Sequence, residues 1–318
     1  MTPLTEILRD EIARSGPISF HRFMDTALYH PTHGYYRREG RDPFGREGDF
    51  FTAQQLQPVF GILIAARLRS LFREMGEPSD FTVVELGAGR GEMKDALSEF
   101  RYVPIDAGSG ALPESFRGVV FSNEFFDALP VHRVVWVDGA PRESLVGWRD
   151  DGFTWVDGEP VTGPVQDYVQ RYLPDFPDRG SAEVNLDALE WMERISRSLT
   201  SGWVFTIDYG YTSRESRRFP DGTLMSYRRH AASEDVLSGP GDRDITAHVC
   251  FTAIEEHGKR LGLETARFET LSRTLLDAGE ADQFAAAIGG PEGEKRRLQL
   301  KTLLFGMGET FRTLLQKK

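Results

Sequence analysis

The sequence predicts an α/β fold: a mostly parallel sheet with helices on both faces. Three observations predict it. Apolar strand patterns recur with helical patterns between them; a glycine-rich turn, "LGAGRG", follows the first of these strands; and 318 residues suffice to bury a substantial core. In such a sheet a ligand is expected beyond the carboxyl ends of the strands.

The N-terminus reads as a helix, because Thr2 can cap, Pro3 suits the first helical position, and Leu4, Ile7, Leu8 and Ile12 form one apolar face. Ser15-Gly16-Pro17 stops it. A second helix is expected from Ser19, with Ile18 and Phe23 at the two positions of a hydrophobic staple. The stretch "YHPTHGYYRREGRDPFGREGDFF" (29–51) is rich in Gly, Pro and charge and reads as an irregular surface segment able to serve as a lid. His30 and His33 have a spacing that suits metal on a helix, but Pro31 and Gly34 favour a turn, so no metal is expected.

A helix is expected over 57–74, then strand, turn and helix over 81–98, and a short strand at 102–105. The third strand lies in "GVVFSNEFFDALP" (118–130), and the fourth, "WVFTIDYG" (203–210), follows a helical pattern over 186–199. Between 134 and 161 alternating Val and Trp are punctuated by Asp138-Gly139, Asp151-Gly152 and Asp157-Gly158, each a hairpin-turn dipeptide, which predicts an antiparallel insertion. Helices are expected over 251–261 and 296–315.

Thirty-eight basic against 49 acidic residues give a formal charge of −11, which opposes sequence-independent binding to a phosphate backbone, so no nucleic-acid partner is expected. With one cysteine, Cys250, the chain can build neither an internal disulfide nor a cysteine-based zinc site. No apolar run approaches the roughly 18 residues that span a bilayer. The first residues carry three acids and no signal-peptide core, so no membrane association and a cytoplasmic location are expected.

The glycines of the turn fall at Gly87, Gly89 and Gly91, whereas a dinucleotide fingerprint starting at Gly87 wants a small residue where Glu92 stands. A P-loop fails as well, since no Gly-Lys-Ser/Thr follows. Glu85 precedes the turn by two residues, and Asp106 ends the next short strand, placed to accept hydrogen bonds from a ribose diol. A carboxylate beside a pyrophosphate would be repelled, but one beside the sulfonium and ammonium groups of S-adenosylmethionine is attracted. The turn suits that cofactor.

"SNEFFDALPVHR" (122–133) resembles the MidA family of methyltransferases, which is related to the mitochondrial complex I assembly-factor arginine methyltransferase. The resemblance extends in family order through "HPTHGYY" (30–36), "GDFFTA" (48–53), "VELGAGRGEM" (84–93), "IDYG" (207–210), "GTLMSYRRH" (222–230), "PGDRDITAHVCF" (240–251) and "GMGETFRTL" (306–314). It implies a Rossmann-like class I methyltransferase sheet, bound S-adenosylmethionine and a protein arginine as acceptor. It further implies that Glu85, Gly87, Gly89 and Gly91 form the cofactor turn, that Asp106 contacts the ribose, and that Asn123-Glu124 ends a strand beside the methyl group. Asp49 and Thr52, in "GDFFT", would close over the cofactor. The chain departs from the family after Asp106, where "DAGSGALPESFRG" replaces an acidic residue, a helix and further residues.

On this reading residues 1–78 hold N-terminal helices and a cofactor-covering loop, and residues 79–318 form the methyltransferase domain with its β insertion at about 134–161 and C-terminal helical additions, together one compact unit. Glu124 and Asp127 are the candidates to orient a guanidinium and stabilise its charge, and His248 is a candidate base. Asp208 and Tyr209, at the end of a parallel strand, are expected to face substrate. Two alternatives stand beside a protein arginine methyltransferase: methylation of a small molecule, and a non-catalytic assembly protein that retains the fold.

Overall fold

The run Phe81–Leu86 (β1) is buried along its whole length, as a strand covered on both faces must be. In the computed structural model, which describes residues 2–38, 56–107, 109–174 and 179–318, β1 pairs in parallel with Arg101–Ile105 (β2) on one side and Phe116–Asn123 (β3) on the other. Leu199–Tyr211 (β4) continues the parallel ladder beyond β3. Two antiparallel strands, Glu264–Thr270 (β5) and Phe311–Lys317 (β6), complete the order β5-β6-β4-β3-β1-β2.

These strands belong to one of two compact units, formed by Thr52–Phe125, Trp191–Gly210 and Ile254–Lys318. Its core packs Phe60, Leu63, Ile64 and Leu68, from the helix Val59–Glu74, with Val83, Phe121, Phe205 and Ile207 of the sheet. The helix expected over 296–315 takes a different form. It runs only over Gly293–Lys301, is followed by a π-helical turn at Thr302–Met307, and gives way to β6. Helical propensity yields there because the edge of β4 offers a seven-residue ladder, from Phe311 opposite Tyr209 to Lys317 opposite Trp203, and Phe311, Leu314 and Leu315 bury themselves on it.

The helix expected after the glycine turn is also replaced. Residues 89–99 form successive turns, with bonds such as Lys94 N–H to Gly91 O at 3.0 Å. The left-handed backbone at Gly89 and Gly91 (φ +52° and +78°) breaks the helix where it would begin.

The other unit comprises Met1–Phe51, Phe126–Glu190 and Tyr211–Ala253. Its antiparallel sheet joins His132–Val137, Ala140–Arg149, Gly152–Pro160 and Ser181–Val184, with the pair Ile18–Ser19 on the Ala140–Arg149 strand. Asp138-Gly139 turns the first hairpin, both residues left-handed. The second turn is Asp150-Asp151, one position earlier than expected, and Asp157-Gly158 makes no turn at all. It lies where the register slips between Arg142 and Ser144, so that two residues oppose one as a bulge.

Helices Pro3–Ser15 and Phe20–Tyr29 begin at caps, Thr2 Oγ1 accepting from Thr5 N at 3.2 Å and Ser19 Oγ from Arg22 N at 3.1 Å. His30 Nδ1 likewise accepts from the Thr32 and His33 amides at 3.3 Å, which uses that nitrogen to build the turn. Among the described residues no helix is long and apolar enough to cross a membrane.

Two predictions follow from this packing. Gly118 and Gly202 face each other across β3 and β4, and a Cβ on Gly202 would lie 1.9 Å from the Gly118 carbonyl oxygen. Gly202→Ala is therefore expected to destabilise the fold by about 3 kcal/mol, read as a lowered midpoint in calorimetric unfolding. The second prediction concerns His21, whose Nε2 lies 2.8 Å from Asp187 Oδ1. The hydrogen bond to Asp187 raises the His21 pKa above 6.5 against the opposing effect of burial. A raised pKa contributes stability that is complete below 6.5 and is lost as pH rises through the folded-state value. His21→Gln should cost on the order of 1 kcal/mol near pH 5 and much less near pH 9; an equal cost at both would refute this linkage.

Candidate active site

The ladder aligns the carboxyl ends of four strands in the first unit: Leu86 of β1 lies beside Ile105 and Ser122, and Asn123 of β3 beside Ile207. Every residue placed at this rim comes from the end of a parallel strand or from the turn after one. Such a rim is where an open α/β sheet binds its ligand.

The turn after β1 rises on three left-handed glycines, Gly87, Gly89 and Gly91, with φ of +70°, +52° and +78°. It is tied to β2 by the Ala88 amide, which donates to the Ile105 carbonyl at 3.0 Å, and closed by Gly91 N–H to Ala88 O at 2.8 Å. A Cβ at Gly87 would sit 3.2 Å from the ring of Phe125, so the ring packs directly on the backbone of the turn at that point. Phe125 in turn meets Trp191 edge-on at 5.2 Å, and the Arg194 guanidinium lies 3.8 Å from the Trp191 ring centre.

Glu85, one residue before the end of β1, is fully buried. Its carboxylate accepts a short hydrogen bond from the Tyr102 hydroxyl, on the neighbouring strand. Burial, then the charge of Glu85, holds the Tyr102 pKa far above its usual value, so the phenol keeps its proton and remains a donor. Tyr102 was not singled out in the sequence. Its place is set by the strand register, which puts Tyr102 opposite Val83, two residues from Glu85 and therefore on the same face of the sheet.

Asp106 follows β2 and is half-buried. Its backbone closes a tight exchange with Ser109, Asp106 N–H to Ser109 O at 3.0 Å and Ser109 N–H to Asp106 O at 2.9 Å. The described residues between β2 and β3 contain no helix.

Asn123 and Glu124 mark the end of β3. Asn123 is 2 % exposed, and its Nδ2 donates to Glu124 Oε1 at 3.0 Å. Glu124 stands at φ +52°, a conformation that costs a side-chain-bearing residue on the order of 1 kcal/mol or more, and its amide donates to Ile207 O at 3.0 Å. Backbone strain held in place by the next strand fixes where this carboxylate points. At the end of β4, Asp208 is fully buried and accepts the Tyr209 amide at 2.9 Å, while the Tyr209 ring meets Phe311 edge-on at 5.2 Å.

Asp127 and His248 lie in the second unit. Asp127 is 3 % exposed within a turn, and its carbonyl accepts from Ala247 N at 2.9 Å. The Tyr29 hydroxyl donates to the next carbonyl, Ala128 O, at 2.9 Å. Tyr36 donates to Asp244 Oδ1 at 2.7 Å, and its pKa is raised by burial first and then by charges that include Asp244 and Asp127. His248 is half-buried, with Phe219 edge-on at 5.2 Å, and burial lowers its pKa below 6.5, so the ring is neutral near neutral pH. Asp49 and Thr52 lie outside the described residues. Among those residues no group of three or more His, Cys, Asp or Glu side chains converges as a metal site.

Comparison with known proteins identifies the family of the chain. Residues 109–269 match the Methyltransf_28 model, which describes S-adenosyl-L-methionine-dependent methyltransferases. The chain is 30 % identical to the protein arginine methyltransferase NDUFAF7 homolog of Drosophila melanogaster, over 81 % of this chain and 70 % of that one. To the Homo sapiens protein arginine methyltransferase NDUFAF7 it is 27 % identical, over 86 % and 74 %. A crystal structure from Burkholderia thailandensis bound to S-adenosyl-homocysteine superposes with a TM-score of 0.89 at 30 % identity, over 99 % of this chain and 92 % of that one. Glycine turn, acidic strand ends and matched family agree: the chain belongs to this family of S-adenosyl-L-methionine-dependent methyltransferases.

Proposed function

We propose that this protein transfers a methyl group from S-adenosylmethionine to the guanidinium of a protein arginine. The observation that carries the acceptor is the set of relatives named protein arginine methyltransferases, which align with most of this chain. The acidic strand ends suit that acceptor, because a carboxylate orients a guanidinium through paired hydrogen bonds.

The residues present fit the cofactor. The turn is left-handed at Gly87, Gly89 and Gly91, which lets its backbone approach a ligand with no side chain at those three positions. Asn123 Oδ1 is buried with no hydrogen-bond partner among the described residues, an acceptor that suits the cofactor's ammonium. We assign Glu85, Gly87, Gly89, Gly91 and Asn123 to cofactor binding, Asp106 to the ribose hydroxyls, and Asp208 and Tyr209 to the acceptor. The cofactor supplies a sulfonium-activated methyl group for in-line displacement, so the protein's tasks are alignment, exclusion of water and management of charge.

Glu124 orients the guanidinium, its direction set by the strained backbone and the Asn123 amide. Since an arginine keeps its proton at any ordinary pH, the transfer requires a group that accepts a proton as the new bond forms. His248 is assigned to that step, as the neutral imidazole that burial maintains, and Asp127 is assigned with Glu124 to hold the guanidinium's charge. We place the chain in the cytoplasm, a reducing compartment that fits a chain whose single cysteine, Cys250, can form no internal disulfide.

Titration calorimetry should show S-adenosyl-homocysteine binding to the wild type, with affinity roughly tenfold weaker in Asn123→Ala and about a hundredfold weaker in Gly87→Val; no binding by the wild type at millimolar ligand overturns the cofactor assignment. For the acceptor, donor carrying a labelled methyl group is incubated with cell extract. Label should enter protein and appear as methylarginine on hydrolysis, whereas label confined to low-mass material overturns the protein-arginine reading.

A further inference from the structure

Glu183 is an acid with no role in the chemistry above. It sits on the strand Ser181–Val184, 3 % exposed, and its carboxylate takes three hydrogen bonds from one residue. The Thr223 amide donates to both oxygens, at 3.0 and 3.1 Å, and the Thr223 hydroxyl donates to Oε2 at 2.8 Å. With its proton committed to Glu183, the hydroxyl oxygen is left as an acceptor, and the His248 amide donates to it at 2.9 Å. The three groups form a chain of fixed polarity, carboxylate to hydroxyl to amide, inside one unit.

The surroundings are shaped to this chain. A Cβ on Gly222 would fall 2.3 Å from Glu183 Oε1, so the glycine before Thr223 is the condition for the carboxylate to reach it. The Arg133 guanidinium, near Glu183 and Asp221, is the neighbouring cation, itself held by Ser144 Oγ at 2.9 Å and the Trp155 ring at 4.5 Å. Burial raises the Glu183 pKa while the Thr223 donors and Arg133 oppose the rise, the cost of a buried charge that is kept for its hydrogen bonds.

We propose that Glu183 is a positioning residue that, through Thr223, holds the backbone of His248 and so the direction of its imidazole. The proposal rests on the reading of His248 as a proton acceptor. The carboxylate polarises the Thr223 hydroxyl, a polarised hydroxyl is the better acceptor for the His248 amide, and an anchored amide leaves the ring few directions. Phe219, edge-on to the ring, limits it further.

The test compares wild type, Glu183→Gln, Thr223→Val, Thr223→Ser and His248→Asn by two readouts: the NMR titration of the His248 ring, and the initial rate of labelled methyl transfer from S-adenosylmethionine into extract protein. Loss of a nearby anion alone lowers a histidine pKa, whereas release of a buried ring into water raises it. The proposal therefore expects the His248 pKa to rise toward 6.5 in Glu183→Gln and Thr223→Val, with a rate loss of about tenfold and the cofactor KM within about twofold. Thr223→Ser, which keeps the hydroxyl, should match wild type in both readouts and separates this role from a general loss of folding. An unchanged His248 titration in a folded Thr223→Val overturns the proposal, as does a downward shift in Glu183→Gln. Full activity in His248→Asn overturns instead the reading of His248 as the acceptor, while the ring titration still decides whether Glu183 positions it.

Discussion

Parallel hydrogen bonding between β1, β3 and β4 is the constraint from which the rim of strand ends derives. It sets Leu86, Ser122 and Asn123, and Ile207 side by side, so that the turn after β1 and the strained Glu124 emerge at one edge. That register is admitted at the opposite end of the strands by Gly118 and Gly202, whose backbones approach too closely for side chains. A shift of one residue would carry Glu85 to the other face of the sheet and separate it from Tyr102.

Charge is the second feature of this rim. The rim presents buried carboxylates at Glu85 and Asp208 and a constrained one at Glu124, an arrangement suited to a cationic methyl donor and a cationic acceptor and hostile to a phosphate. Each acid accepts from at least one neutral donor: the Tyr102 phenol for Glu85, the Asn123 amide for Glu124, the Tyr209 backbone for Asp208, and Thr223 for Glu183 in the other unit.

Much of the fold was legible because local patterns carried it. The caps at Thr2 and Ser19, the strand runs, and the Asp138-Gly139 hairpin act within a few residues of themselves and leave a signature in order. Three readings yielded to longer-range effects. Residues after 310 became a strand because β4 had an edge to fill; residues 89–99 became turns because the glycines that open the cradle also interrupt a helix; Asp157-Gly158 became part of a bulge because its neighbouring strand carries one residue fewer.

The amino-acid order by itself determined the glycine turn, its leading Glu85 and the acidic strand ends, since each depends on residue type and spacing along one short segment. Only the tertiary structure decided what completes them. Tyr102 reaches Glu85 from another strand, Phe125 lies against Gly87, and Glu183 reaches His248 through Thr223 across 40 and then 25 positions of chain. Contacts between residues so distant in sequence leave no periodicity or spacing to read, and they exist only once the backbone has closed the loops between them.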